Sequence, residues 1–259
     1  MDLQLENKTA LVTGSTKGIG FAIARLLAAE GAQVMINGRG KDSTEQAAEK
    51  IGPSARGLAS DVSTAAGCAE LIRQVPSVDI LVNNAGIFEP KPFTEIPDAD
   101  WERFYQVNVM SGVRLTRAYL PGMLKRNWGR IIFISSESGV QIPAEMIHYG
   151  MTKAAELALV NGIAQLTRGT AVTVNAVLPG PTASEGVTEF VSRLASQGSQ
   201  TPEQFEKEFF RSVRPTSLLQ RFASVDEVAN MVAYLCSPLA SATNGSAARV
   251  DGGVVRGTV

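Results

Sequence analysis

Several residue types are scarce in this chain, and each scarcity excludes something. Among 259 residues there are two cysteines, Cys68 and Cys236, and one histidine, His148. Two thiols outside any CxxC pair do not make a zinc cluster or a disulfide framework. A single histidine argues against a Ser–His–Asp triad and against a histidine-rich metal site, so no metal is expected. Charge of one sign is also missing. The formal net charge is −1, which gives no broad attraction for nucleic acid or an anionic membrane. No apolar run reaches the ~18 residues that span a bilayer. The opening residues Met1-Asp2-Leu3-Gln4-Leu5-Glu6 lack the basic and apolar regions of a signal peptide. A reduced, cytoplasmic location is the expectation.

What is present is a core. Hydrophobic residues make up 44% and charged residues 19%, the balance of a globular protein with a sizeable interior. Short apolar runs alternate with longer amphipathic segments. Strands are expected at Lys8–Thr13, Gln33–Asn37, Ala55–Ser60, Asp79–Val82, Gly129–Ser135, Ala171–Leu178 and Ser246–Val250. Helices are expected at Ile19–Glu30, Ser43–Ile51, Thr64–Val75, across Asp98–Arg126, at His148–Thr167 and at Val225–Cys236. Strands that are apolar on both faces and separated by helices predict a parallel sheet covered on both sides. The fold class is therefore α/β: a doubly wound, Rossmann-like sheet of about seven strands, in one domain spanning 1–259. The segment 184–219 breaks the rhythm with Phe190, Phe205, Phe209 and Phe210 in charged sequence. It reads either as packed surface helices or as a lid over a pocket beyond the strand ends.

The first strand runs into Thr13-Gly14-Ser15-Thr16-Lys17-Gly18-Ile19-Gly20. Gly14 suits a tight turn, Gly18 lets backbone approach a pyrophosphate at a helix N-terminus, and Gly20 permits close helix–strand packing. An NAD site ends its second strand with a carboxylate that accepts from the ribose 2′-hydroxyl. Here the strand ends Ile36-Asn37-Gly38-Arg39, with Lys17 in the glycine loop nearby. Two cations and an amide suit a 2′-phosphate, so NADP(H) is preferred.

Tyr149 and Lys153 stand four residues apart, and Ser136 lies thirteen before the tyrosine. On a helix, that i, i+4 spacing puts phenol and ammonium on one face. A cation near a phenol favours phenolate, a means of moving a proton to or from a carbonyl or alcohol oxygen.

With these motifs the chain resembles a small, single-domain short-chain dehydrogenase/reductase from Lys8 to Gly253. TGxxxGIG is Thr13–Gly20; Asp61-Val62 follows the third strand; NNAG is Asn83-Asn84-Ala85-Gly86; the helix asparagine is Asn108; the catalytic serine matches Ser136, YxxxK is Tyr149 with Lys153, and PG is Pro179-Gly180. The resemblance implies roles. Asp61 and Val62 flank the adenine. Gly14 and Ile19 supply backbone contacts to ribose and phosphates, with Ser15, Lys17, Gly18, Gly20 and Arg39 completing that cradle. Asn84, Ala85 and Gly86 line the cofactor, and Pro179, Gly180 and either Thr182 or Ser184 meet the nicotinamide carboxamide. Tyr149 is the general acid/base, Lys153 lowers its pKa and holds the nicotinamide ribose, Ser136 orients the substrate oxygen, and Asn108 holds a water on the proton path. The reaction implied is interconversion of a small-molecule carbonyl and a secondary alcohol. A 3-oxoacyl-thioester reductase is a rival within the class, and a non-catalytic NADP(H)-binding redox sensor a rival outside it. A homo-oligomer, tetramer or dimer, is implied through the long helices of Asp98–Arg126 and His148–Thr167. The sequence departs from the family where PGxVxT reads Pro179-Gly180-Pro181-Thr182-Ala183-Ser184, where Asn244-Gly245 replaces Thr-Gly, and in a longer stretch after the PG motif.

Overall fold

The computed structural model describes residues 2–185 and 201–257. Seven strands form one all-parallel sheet: β1 (Thr9–Val12), β2 (Gln33–Gly38), β3 (Ala55–Ala59), β4 (Ile80–Asn83), β5 (Gly129–Ile134), β6 (Val172–Pro179) and β9 (Ala247–Val250), in the order β3-β2-β1-β4-β5-β6-β9. Two residues each of β7 (Thr182–Ala183) and β8 (Ala223–Ser224) pair separately. The α-helices among the described residues are α1 (Gly18–Ala29), α2 (Lys41–Ile51), α3 (Ala65–Gln74), α4 (Asp98–Phe104), α5 (Ser111–Arg126), α6 (Ile147–Gln165), α7 (Pro202–Ser212) and α8 (Val225–Cys236).

The period of two along each strand explains the layering. Ala10, Val12, Ile80, Val82, Ile132 and Ile134 join one apolar cluster, which α1, α2 and α8 cover with Ile23, Leu27, Ala47, Val228 and Val232. Their neighbours Leu11, Leu81, Ile131 and Phe133 join the other, covered by α3, α5 and α6 through Leu71, Leu115, Met123 and Val160. The central strands β1, β4 and β5 are mostly apolar because both of their faces are buried, while the outer strands β3 and β9 are partly exposed. Fully burying one such side chain stabilises the fold by about 1.5–3 kcal/mol.

Chain direction reverses around β1: the chain moves outward to β2 and β3, then crosses back to β4 on the other side. That switch opens a crevice beyond the carboxyl ends of β1 and β4, where an open α/β sheet places its ligand. The expected lid falls partly on residues 186–200, Phe190 among them, which lie outside the described residues. What is described of it is α7, started by a Thr201–Gln204 capping box. Phe210 anchors the helix at 1% exposure, packed against Phe209 and Phe222.

Candidate active site

The nucleotide end of the crevice is built mainly from backbone. Gly14 sits at φ +60°, the left-handed region that glycine reaches without strain. A Cβ on Gly20 would meet the Gly14 carbonyl at 2.6 Å and the Asn84 amide, so only glycine lets α1 start this close to the loop. Asn84 knits the two motifs together: its Nδ2 donates to the carbonyls of Thr13 (2.8 Å) and Gly14 (3.0 Å). The Thr13 hydroxyl in turn accepts from the backbone N–H groups of Asn84 (2.9 Å) and Ala85 (3.0 Å). α1 begins at Gly18, and the side chain of its N-cap residue Lys17 makes no cap hydrogen bond. Glu185, not singled out from the sequence, reaches the helix start: its Oε2 accepts from the Gly18 N–H at 2.6 Å. A carboxylate thus occupies part of the cradle in which a phosphate would sit.

The remaining residues expected to hold the cofactor divide into those that face outward and those that do not. Lys17, Arg39 and Asp61 are exposed. Neither Lys17 nor Arg39 forms a salt bridge among the described residues, and Arg39 directly follows the end of β2. Val62 is buried. Asn37 departs from expectation. It is 1% exposed and its amide donates to the carbonyls of Leu58 and Ser60, tying β2 to β3 and not facing a phosphate. Ser15 is fully buried too. Its hydroxyl donates to Val12 O and accepts from the Asn37 N–H, so it holds the loop's shape. Ile19 is partly buried and packs against the core, while a Cβ on Gly86 would lie 3.5 Å from Asn108 Oδ1 and 3.6 Å from Lys153 Nζ. At the end of β6, Pro179 is buried and Gly180 presses against the backbone of Asp251, where a Cβ would come within 2.6 Å. Thr182 is buried with its hydroxyl on Gly180 O at 2.9 Å, while Ser184 is half-buried at the crevice mouth.

The catalytic end is built from side chains. Tyr149 and Lys153 lie on one face of α6, with the Lys153 ammonium 5.8 Å from the phenol ring centre. Ser136 comes from the turn after β5 and sits beside the phenol. Asn108 lies in a π-helical turn, residues 105–110, wedged between α4 and α5. Such turns recur at functional sites because the extra residue re-aims a side chain. Its Oδ1 accepts from the Ile87 N–H (2.8 Å), and its Nδ2 donates to Ile87 O (3.0 Å) and Thr152 Oγ1 (2.9 Å). Asn108 therefore locks the loop after β4 to α6, and its side chain is already committed.

Charge here is arranged differently from the expectation of a lysine that simply acidifies the tyrosine. Lys153 is 4% exposed and gives its protons to Ile134 O (2.8 Å) and both oxygens of Glu156 (3.1 Å each). Burial pushes the Tyr149 phenol above its ordinary value, a hydrogen bond with Ser136 opposes the rise, and the carboxylates of Glu137 and Glu156 add to it. Burial also raises Glu156, to about 7, against the pull of Lys153. His148, next to the tyrosine, points elsewhere: it is fully buried between Trp101 and Phe104. Ser135 supports α6 by donating to Lys153 O at 2.9 Å.

These residues fit a dinucleotide: glycine gaps that any side chain would fill, a helix N-terminus already holding one carboxylate oxygen, exposed cations in the glycine loop and after β2, and a phenol–serine pair across the crevice. Comparison with known proteins agrees. Residues 8–195 match the short chain dehydrogenase family. An uncharacterised oxidoreductase of Bacillus subtilis, YvaG, is 48% identical over 99% of both chains. The 3-oxoacyl-[acyl-carrier-protein] reductase of Aquifex aeolicus is 37% identical, over 98% of this chain and all of its own. The L-sorbose reductase of Gluconobacter frateurii, solved with NADPH and L-sorbose, superposes with a TM-score of 0.92 at 33% identity, covering 99% of this chain and all of that one. The chain belongs to the short-chain dehydrogenase/reductase family and is an oxidoreductase.

Proposed function

We propose that this oxidoreductase uses NADP(H) to interconvert a small-molecule ketone and its secondary alcohol, with Tyr149 as the acid/base. The observation that carries the reading is the Tyr149 phenol, flanked by Ser136 and Lys153 at the end of a glycine cradle. Bound NADPH supplies hydride to the carbonyl carbon. The chain's own residues manage the oxygen. Burial keeps the phenol protonated at neutral pH, the state a proton donor must start in. Tyr149 O–H gives its proton to the oxygen as negative charge develops there, and Ser136 orients that oxygen. Lys153, fixed by Ile134 O and Glu156, places a cation where the resulting phenolate needs it. Exposed Lys17 and Arg39 supply the charge that favours a 2′-phosphate. The NADPH-bound L-sorbose reductase supports this choice of cofactor. In this reading the segment 184–219 covers the substrate.

A 3-oxoacyl thioester is the second substrate reading, favoured by the similarity to the Aquifex reductase. NADPH oxidation followed against L-sorbose, other ketoses and 3-oxoacyl thioesters separates the two. Tyr149→Phe should reduce turnover by about a hundredfold to ten-thousandfold, the usual contribution of a general acid. NADPH binding, read by nucleotide fluorescence, should change little. Near-full turnover in that variant would refute the assignment.

A further inference from the structure

The residue after Ser136 is a buried carboxylate. Glu137 is 5% exposed, and its Oε2 accepts from the Ser136 hydroxyl, the Ser138 N–H (2.7 Å) and the Ser138 hydroxyl (2.9 Å). Its Oε1 accepts from Arg214 Nε at 3.2 Å. Arg214 lies two residues beyond α7 and 77 residues from Glu137, with its side chain 11% exposed. Its Nη1 donates to Glu145 Oε1 (3.0 Å) and to Val213 O (2.9 Å). One guanidinium thus lies between a carboxylate beside the catalytic serine and another just before α6. A buried carboxylate is tolerated when it is paired and hydrogen-bonded, and here the charge partner comes from the segment that follows α7.

The Ser136 hydroxyl donates to Glu137 Oε2, and its oxygen accepts from the Ser138 N–H at 3.1 Å. The two bonds fix the Ser136 rotamer, and donation to a substrate oxygen requires only that the hydroxyl proton rotate off the carboxylate. The same two charges act on the phenol: Glu137 holds the Tyr149 proton on, and Arg214 draws it off. The other charged neighbours are Glu156, which acts like Glu137, and Lys153, 5.8 Å from the ring centre. Glu145 is held on Arg214, and His148 faces Trp101 and Phe104.

We propose that Glu137 and Arg214 are positioning residues for the reaction: Glu137 orients the Ser136 hydroxyl, and Arg214 brings the post-α7 segment onto that carboxylate. The inference rests on the reading of Ser136 and Tyr149 as the reacting pair. It predicts that two partners of one ion pair give opposite effects, which a purely structural role does not.

The test is carbon-13 NMR of tyrosine labelled at Cζ in the full chain. The chain has four tyrosines, and Tyr149→Phe identifies the line to follow. Glu137→Gln should lower the pH at which that line begins to move by about half a unit or more, roughly threefold in proton affinity. Arg214→Gln should raise it by a similar amount, and Arg214→Lys, which keeps the cation, should stay near the parent. The alkaline limb of kcat/KM for L-sorbose reduction should follow the same order. Unchanged titration in both Gln variants, or displacement in the same direction, overturns the proposal. If Glu137→Gln fails to fold by circular dichroism, the contrast between Arg214→Gln and Arg214→Lys decides alone. Turnover surviving Tyr149→Phe would strike the catalytic reading and leave the NMR displacements standing. An inactive Tyr149→Phe with no displacements strikes this inference only.

Discussion

The two ends of the crevice are made from different materials. At the nucleotide end the determinants are main-chain: glycine gaps, the N-terminus of α1 and the Thr13–Asn84 hydrogen bonds. At the catalytic end they are buried charges: Lys153 with Glu156, and Glu137 with Arg214. A backbone surface has no proton to gain or lose and no rotamer to change. It tolerates little alteration, and its failures are the same at every pH. A buried charge cluster can be retuned one group at a time, and its failures depend on pH.

The largest effect should come from the backbone end. Gly20→Ala places a methyl 2.6 Å from the Gly14 carbonyl and into the Asn84 amide, so loop and helix must separate. Overpacking of this kind costs about 1–3 kcal/mol of stability, and loss of the cradle's shape should weaken NADPH binding by at least about a hundredfold. Denaturant melts and fluorescence titration measure the two. Binding within a few-fold of the parent would show that the cradle is softer than the packing implies.

Arg39→Asp comes next. Arg39 is exposed after β2, so the exchange leaves the fold alone and, in the proposed reading, replaces a phosphate partner with a carboxylate that repels it. The ratio of kcat/KM for NADPH over NADH should fall by about tenfold to a hundredfold. An unchanged ratio removes the charge argument for NADPH and leaves the 2′-end to be read by shape. A smaller effect, opposite in sign, is expected from Glu185→Gln. Its carboxylate sits on the Gly18 N–H where a phosphate oxygen belongs, so a neutral amide should compete less. NADPH affinity should rise by about three- to tenfold. Weaker binding would mean that Glu185 supports the loop and does not compete for it.

The same division explains what could be read from the sequence. Backbone features leave marks in one place on the chain: glycines at fixed spacing, a strand before them, a helix after. The sheet was legible because its central strands carry apolar runs on both faces, as in Ile80-Leu81-Val82. Tyr149, Lys153 and Ser136 were legible because a helix and a turn fix them locally. Asn37 reads from the sequence as a phosphate partner and Ser15 as part of the nucleotide cradle. Their side chains turn inward because β2 and β3 need the amide and the loop needs the hydroxyl. The charge cluster was not legible. Glu137 and Arg214 are 77 residues apart, and nothing local in either stretch marks the meeting. Glu156 lay in plain view at i+3 from Lys153, the spacing of an ordinary solvated pair on a helix surface. Burial, which the spacing does not report, turns it into the lysine's fixed partner.

Glu156 gives the smallest effect and the cleanest contrast with the backbone end. Its carboxyl is 2% exposed and raised from the ordinary value of 4.5 to about 7, first by burial, with Lys153 opposing. The folded state therefore holds this proton over a range where the unfolded chain has released it. Stability contributed by the group is complete below pH 4.5, declines as pH rises toward 7, and levels off above that. Glu156→Gln cannot titrate and lacks this decline. Melting temperatures of parent and variant, taken from pH 4.5 to 8, should therefore diverge in favour of the variant across that window and run parallel above it. The offset itself depends on how well an amide satisfies the Lys153 ammonium, but the slope depends only on the proton. Gly20→Ala should show the converse, a loss of stability that is constant with pH. A parallel pair of curves for Glu156→Gln would mean that Lys153 holds Glu156 ionised throughout, and the catalytic end would then be as fixed as the cradle.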